Sequence, residues 1–314
     1  MHGINKIKKV TVVGTGVMGP GIALSFAIGG IEVALVGRTG ARLKQSMARI
    51  RKSLDRLCNE GLVDDKVAVL DLIKGFVSLK EGLHKTELVV EAISEDIELK
   101  KSLFSEIDSL CSTDVIFATN TSGLSITEMA SATSRPERFI GTHFWNPPHL
   151  IPLVEVVRGS KTRDDTVLEV KQLLERMGKV PVIVNKDVPG FVGTRLHQAL
   201  IREAFFIVEE GIANVEDVDK VVKASFGRRL AITGPFETCD LGGLDTFLAA
   251  AEVWKHLSNA QEPSRLLRQK VEAGDLGAKS GRGLYSWPPE RLENIQRQRE
   301  EVLLYFLKLD KRGG

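Results

Sequence analysis

The chain has little cysteine, little aromatic surface and almost no excess of charge of either sign. Its three cysteines, Cys58, Cys111 and Cys239, are far apart and odd in number. That excludes a disulfide framework and a CxxC metal site, and fits a reducing cytoplasm. With 43 basic and 41 acidic residues the net charge is only +2, and no basic stripe interleaved with aromatics occurs. Nucleic acid is therefore not an expected partner. Long apolar runs are missing too. The opening "MHGINKIKK" leads into a short apolar stretch before glycines begin, so neither a signal peptide nor a membrane span is expected. What is present is a 314-residue chain, 43% hydrophobic and 27% charged, suited to one large domain or two ordinary ones.

Seven β-rich runs alternate with helical patterns in the first part of the chain: 10–13, 32–36, 88–92, 115–119, 138–144, 153–157 and 180–184. Several are nearly continuous in Val and Ile, as strands covered on both faces are. The alternation predicts an α/β fold with a mostly parallel sheet. "SITE" (125–128) reads as a capping box opening a short helix. The stretch 45–83 breaks the rhythm with strongly charged helical spacing and predicts a helical insertion. After "DVPGF" (187–191) the strand signal stops, and Asn214 reads as the cap of a second long helix. The expected division is thus a domain over 1–185 and an all-helical domain over 186–314.

"VTVVGTGVMGPGIALSF" contains Gly14, Gly16 and Gly19 in a GxGxxG turn between a strand and a helix, with Val17 and Met18 inside it. The first glycine permits the tight turn, the second lets the backbone approach a pyrophosphate, and the third lets helix and strand pack closely. The helix N-terminus offers free N–H groups and a partial positive charge to phosphates. In this context the motif predicts a dinucleotide site. At the end of the second strand, where a NAD site commonly offers an acid to the ribose, the chain has Gly37 followed by Arg38. An uncharged position beside a guanidinium can accept a 2′-phosphate, so NAD and NADP both stay open. A solvated Arg38 stacked loosely on adenine is the other reading.

"THFWNPPHLIPLVEVVRG" (142–159) places His143 and Glu155 at the ends of a proline-stiffened crossing, with Asn146 between them. Ionisable groups are seldom fully buried unless paired. A structural pair, a metal site and an acid–base dyad all fit that pattern. His149 adds a second imidazole, but no third Cys, His or Asp stands at a recognisable ligand spacing, so no metal is expected.

Together with "LVVEAISEDIELKKSLF", "FATNTSGLSITEMA", "PGFVGTRL" and "GAKSGRGLYSW", these segments make the chain resemble the 3-hydroxyacyl-CoA dehydrogenase family from about Lys8 to Tyr285. The resemblance implies a Rossmann-type, doubly wound N-terminal domain, a helical C-terminal domain that dimerises, and NAD as cofactor. It further implies that His143 is the catalytic base, Glu155 its orienting partner, and that Ser122 and Asn146 act at the substrate oxygen. Glu95 and Lys100 match residues lining the cofactor site, and Lys279 matches a lysine that reaches it. A histidine with an unperturbed pKa of roughly 6.5 suits removal of a hydroxyl proton while hydride leaves.

Three positions depart from the family pattern. Gly37 replaces an aspartate, and Thr194 replaces an asparagine expected to contact the reacting end of the substrate. Ser53 fits a CoA-contacting serine, whereas Glu60 stands where a lysine is expected. The substrate is accordingly an acyl-CoA or, as the competing reading, a small free hydroxy acid or related alcohol. A non-catalytic relative with a structural or sensing role is the third possibility. The charged tail 290–314 is expected to join an interface or to pack back on its own chain.

Overall fold

Each of the seven β-rich runs forms a strand in the computed structural model, which describes residues 7–313. Eight strands make one sheet in the order β3-β2-β1-β4-β5-β6-β7-β8. They are β1 (Lys9–Val13), β2 (Glu32–Val36), β3 (Ile73–Phe76), β4 (Leu88–Glu91), β5 (Ile116–Thr119), β6 (Phe139–Phe144), β7 (Leu153–Arg158) and β8 (Val180–Val184). All neighbours are parallel except β6 and β7. The central strands β4, β5 and β6 are buried along their whole length, which explains their continuous apolar sequences.

Helices α1 (Gly19–Ile28), α2 (Gly40–Asn59), α3 (Lys66–Asp71), α4 (Leu79–Gly82), α5 (Ile97–Leu110), α6 (Ile126–Ala130) and α7 (Asp164–Arg176) connect these strands. In α2, Leu43, Ile50, Leu54 and Leu57 are buried at helical spacing. Thr39 caps this helix by accepting from the Arg42 amide. Ser125 caps α6 by accepting from the Glu128 amide, which is one half of the capping box the "SITE" pattern predicts. The stretch 45–83 is not wholly helical, since it contains β3. That strand is IKGF at the sheet edge, with Lys74 and Gly75 exposed, so it lacks the apolar density that marks the other strands.

The chain divides into two compact units. One runs to Thr194 and also takes up the segment from Gln298 onward, and the other is Arg195–Arg297. The first therefore extends past the expected boundary at 185. Phe191 is buried in its core, and the Val192 and Gly193 amides are bonded inside it. The remaining helices are α8 (Gly193–Glu209), α9 (Val215–Ala224), α10 (Pro235–Gly242), α11 (Leu244–Ala250), α12 (Arg265–Glu272) and α13 (Pro289–Gly313). Asn214 caps α9 by accepting from the Asp217 amide.

The end of α13 packs back on the first unit. Leu304 is buried in that unit's main core, with Leu303 and Leu307 against it. Arg56 bonds Glu300 at 2.8 Å, Lys308 bonds Glu60 at 2.6 Å, and Lys311 donates to the Leu62 carbonyl. Among the described residues no helix is long and apolar enough to cross a membrane.

Candidate functional site

The carboxyl ends of β1, β4, β5 and β6 share one edge of the sheet, the edge outside which open α/β sheets bind ligands. The three loop glycines there meet three different requirements. Gly14 has φ +131°, and a Cβ on it would lie 2.3 Å from the Ala92 carbonyl oxygen. A Cβ on Gly19 would lie 1.9 Å from the Gly14 carbonyl oxygen, so helix and strand approach at backbone distance. At Gly16 nothing lies within 4 Å of that position. This is the open face a pyrophosphate needs. Helix α1 has no acidic residue in its first turn, and Met18 before it makes no side-chain cap. The N-terminal amides are left for an anion. Val17 turns its side chain outward, 72% exposed. The loop thus fits a nicotinamide dinucleotide.

At the end of β2, a Cβ on Gly37 would stand 2.5 Å from Thr15 Cγ2 and 3.1 Å from Leu43 Cγ. The Thr15 methyl thus stands where a side chain at position 37 would begin. Arg38 follows, exposed.

His143 and Glu155 sit directly opposite each other in the β6–β7 register. Cross-strand partners on one face are close enough for their side chains to meet. His143 Nδ1 lies 2.7 Å from Glu155 Oε2, and both residues are buried. Glu155 Oε1 accepts from the Val192 and Gly193 amides at 2.9 Å each, and Oε2 also accepts from Trp145 Nε1 at 3.3 Å. Burial pushes the Glu155 carboxyl up, but the hydrogen bonds from His143, Gly193 and Val192 outweigh it and hold the group below the usual carboxylate range. An ionised carboxylate only accepts, so in the neutral ring Nδ1 carries the proton and Nε2 keeps its lone pair.

Ser122 follows β5, exposed, and Asn146 follows β6, also exposed. A polar chain holds this edge together. Glu95 accepts from the Ser122 amide at 2.9 Å and from the Thr121 hydroxyl. Asn120 Oδ1 accepts from the Phe144 amide at 2.9 Å, tying the end of β5 to the residue after His143. The Lys100 side chain is 1% exposed, its ammonium bonded to both oxygens of Glu91 at 2.7 and 2.8 Å and to Glu95 at 3.3 Å. Glu91 also accepts from the Thr119 hydroxyl and the Ile93 amide. Lys100 therefore reaches the Ser122 loop through Glu95.

Thr194 is the second residue of α8, and Ser53 lies half-buried on α2. Lys279 belongs to the second unit, exposed on the turn bridged by Gly277 and Arg282. His149 stands half-buried in the connection between β6 and β7. Burial and the nearby Lys179 charge push its pKa down to about 4, and Lys179 itself is held down to about 8 by burial while donating to the Pro148 and Ile151 carbonyls. Among the described residues no group of three or more His, Cys, Asp or Glu could hold a metal ion.

Sequence reasoning alone passes over Glu91, Asn120 and Trp145. Asn120 and Trp145 stand beside recognised motif positions. Glu91 is hidden in a strand, where it carries no distinguishing pattern.

Two family models cover most of the chain: "3-hydroxyacyl-CoA dehydrogenase, NAD binding domain" over residues 9–188, and "3-hydroxyacyl-CoA dehydrogenase, C-terminal domain" over 190–287. A probable 3-hydroxybutyryl-CoA dehydrogenase of Bacillus subtilis is 40% identical over 286 residues, covering 90% of this chain and 98% of the relative. A 5-formyl-3-hydroxy-2-methylpyridine 4-carboxylate 5-dehydrogenase of Mesorhizobium japonicum is 33% identical over 299 residues, covering 95% and 96%. A solved structure of an enzyme of that second name, described as an NAD+ dependent dismutase, matches with a TM-score of 0.92 at 33% identity, covering 97% of this chain and 99% of the other. The (S)-3-hydroxybutyryl-CoA dehydrogenase of Ralstonia eutropha matches with a TM-score of 0.76 at 40% identity, covering 90% and 99%. The cradle, the sheet edge and these matches together establish that the chain belongs to the 3-hydroxyacyl-CoA dehydrogenase family, as an NAD-dependent dehydrogenase.

Proposed function

We propose that the chain oxidises the secondary alcohol of a 3-hydroxyacyl-CoA to the 3-ketoacyl-CoA, with His143 and Glu155 as an acid–base dyad. The observation carrying this reading is the 2.7 Å contact between His143 Nδ1 and Glu155 Oε2, inside a site where Glu155 is fixed by two further amides. NAD, when bound, supplies the hydride acceptor. His143 Nε2 takes the hydroxyl proton, and Glu155 stabilises the imidazolium that results. The Ser122 hydroxyl and the Asn146 amide donate to the substrate oxygen, and the Glu95 contact to the Ser122 amide keeps that loop in place. The reverse direction uses the same groups, His143 then giving its proton to the alkoxide.

A second reading, a small substrate without CoA, is favoured by one specific feature. Glu60, where the family pattern has a lysine on the CoA side, is paired with Lys308, and the end of α13 lies on α2. The Mesorhizobium relative's name carries a pyridine carboxylate without CoA. The test that separates the readings is NADH formation from 3-hydroxybutyryl-CoA and from free 3-hydroxybutyrate. Faster turnover of the thioester supports the first reading, and turnover of the free acid alone replaces it with the second.

The chain is further proposed to act as a cytoplasmic homodimer in fatty acid metabolism. The dimer is supported by apolar side chains that the second unit leaves exposed, among them Phe236 at 84%, Leu248 at 77% and Trp254 at 72%. Unpaired cysteines fit a reducing compartment.

A further inference from the structure

We propose that Arg49 is a positioning residue of the cofactor site, holding the glycine-rich loop so that two of its amides face the pyrophosphate. Arg49 projects from α2, and its guanidinium donates to the Thr15 carbonyl at 2.8 Å and to the Gly16 carbonyl at 3.0 Å. It also donates to Ser46 Oγ at 3.3 Å, one helical turn back, and Ser46 Oγ in turn donates to the same Thr15 oxygen at 3.4 Å. The helix beneath is anchored by Leu43, Ile50 and Leu54 in the core, so the guanidinium is presented from a fixed base.

The consequence follows from peptide geometry. In a planar trans peptide the C=O and the N–H point in opposite directions. The Thr15 carbonyl shares its peptide with the Gly16 N–H, and the Gly16 carbonyl shares its peptide with the Val17 N–H. Drawing both oxygens toward Arg49 therefore turns both N–H groups away from it. Among the described residues neither N–H has a main-chain acceptor. They border the open position at Gly16, where a Cβ would meet no atom within 4 Å. Arg49 thus fixes two donors in advance and brings a positive charge behind the loop, and both effects favour a dianionic pyrophosphate. Its partners are main-chain oxygens and a hydroxyl rather than a carboxylate, so its charge is not cancelled by a bonded acid.

The test measures equilibrium binding of NADH and of ADP to the wild type, Arg49→Ala and Arg49→Lys, independently of any substrate. ADP carries the pyrophosphate without the nicotinamide. Arg49→Ala is expected to weaken both ligands by about tenfold or more. Arg49→Lys, which keeps the charge and one donor direction, is expected to recover part of the loss. In the oxidation assay the effect falls on KM for NAD rather than on kcat. NADH and ADP affinities within twofold of wild type in Arg49→Ala would overturn the proposal. So would a loss confined to NADH with ADP unchanged.

Discussion

The Thr15 methyl group occupies the place where a side chain on Gly37 would begin, with only 2.5 Å between Cγ2 and that Cβ position. The loop residue and the strand end are therefore sterically coupled, and a side chain at 37 requires Thr15 to shift. Gly37→Asp by itself is expected to weaken NAD and NADP together, by forcing Thr15 and Leu43 aside. Combined with Thr15→Ala, the same substitution should shift the NAD:NADP preference toward NAD by about one to three orders of magnitude, since an acid there repels a 2′-phosphate. Arg38→Ala should weaken NADP more than NAD. Titration of each variant with both reduced cofactors checks these outcomes, and an unchanged ratio throughout would show that this strand end does not read the ribose.

Stability should fall in acid in a way that traces to His149. Its folded pKa is lowered to about 4 from an ordinary 6.5, so the unfolded chain binds its proton first as pH drops. The stabilisation is present above about pH 6.5 and is lost progressively toward pH 4. Between pH 6.5 and 5 this group contributes a loss of about 1–2 kcal/mol. Glu155, whose carboxyl is also held low, adds a further loss only below its ordinary 4.5. Urea denaturation of His149→Gln at pH 6.5 and 5 should show a smaller difference than the wild type. An equal difference would place the acid sensitivity elsewhere.

The sheet was largely legible because its strands are dense in Val and Ile, and the glycine turn was legible because each glycine answers a backbone requirement. β3 was not, since IKGF at an exposed edge has no apolar alternation to read. The resemblance supplied His143 and Glu155 as residues, but their contact depends on β7 running antiparallel to β6 and on a register that sets them opposite. Neither could be read from a pattern that announces parallel strands. Lys100 illustrates the other limit, because its buried pairing with Glu91 at 2.7 Å joins a strand to the following helix and has no local pattern to announce it.

Leu304, 3% exposed, ties the end of α13 to the core of the first unit. Leu304→Ala should destabilise the chain by about 2–4 kcal/mol, the usual range for a truncated buried leucine. It should also expose the segment after Gln298 to limited proteolysis under native conditions. Wild-type stability and protease resistance in this variant would mean that α13 contributes little to that core.

The dyad is tested most directly by initial rates of NADH formation at saturating NAD, using whichever of the thioester or free acid the wild type oxidises faster. His143→Ala should lower turnover by about 10²–10⁴-fold while NADH affinity stays near that of the wild type. Glu155→Gln should also lower turnover, because an amide can hold the ring but cannot stabilise imidazolium. Wild-type turnover in His143→Ala would contradict the proposed mechanism.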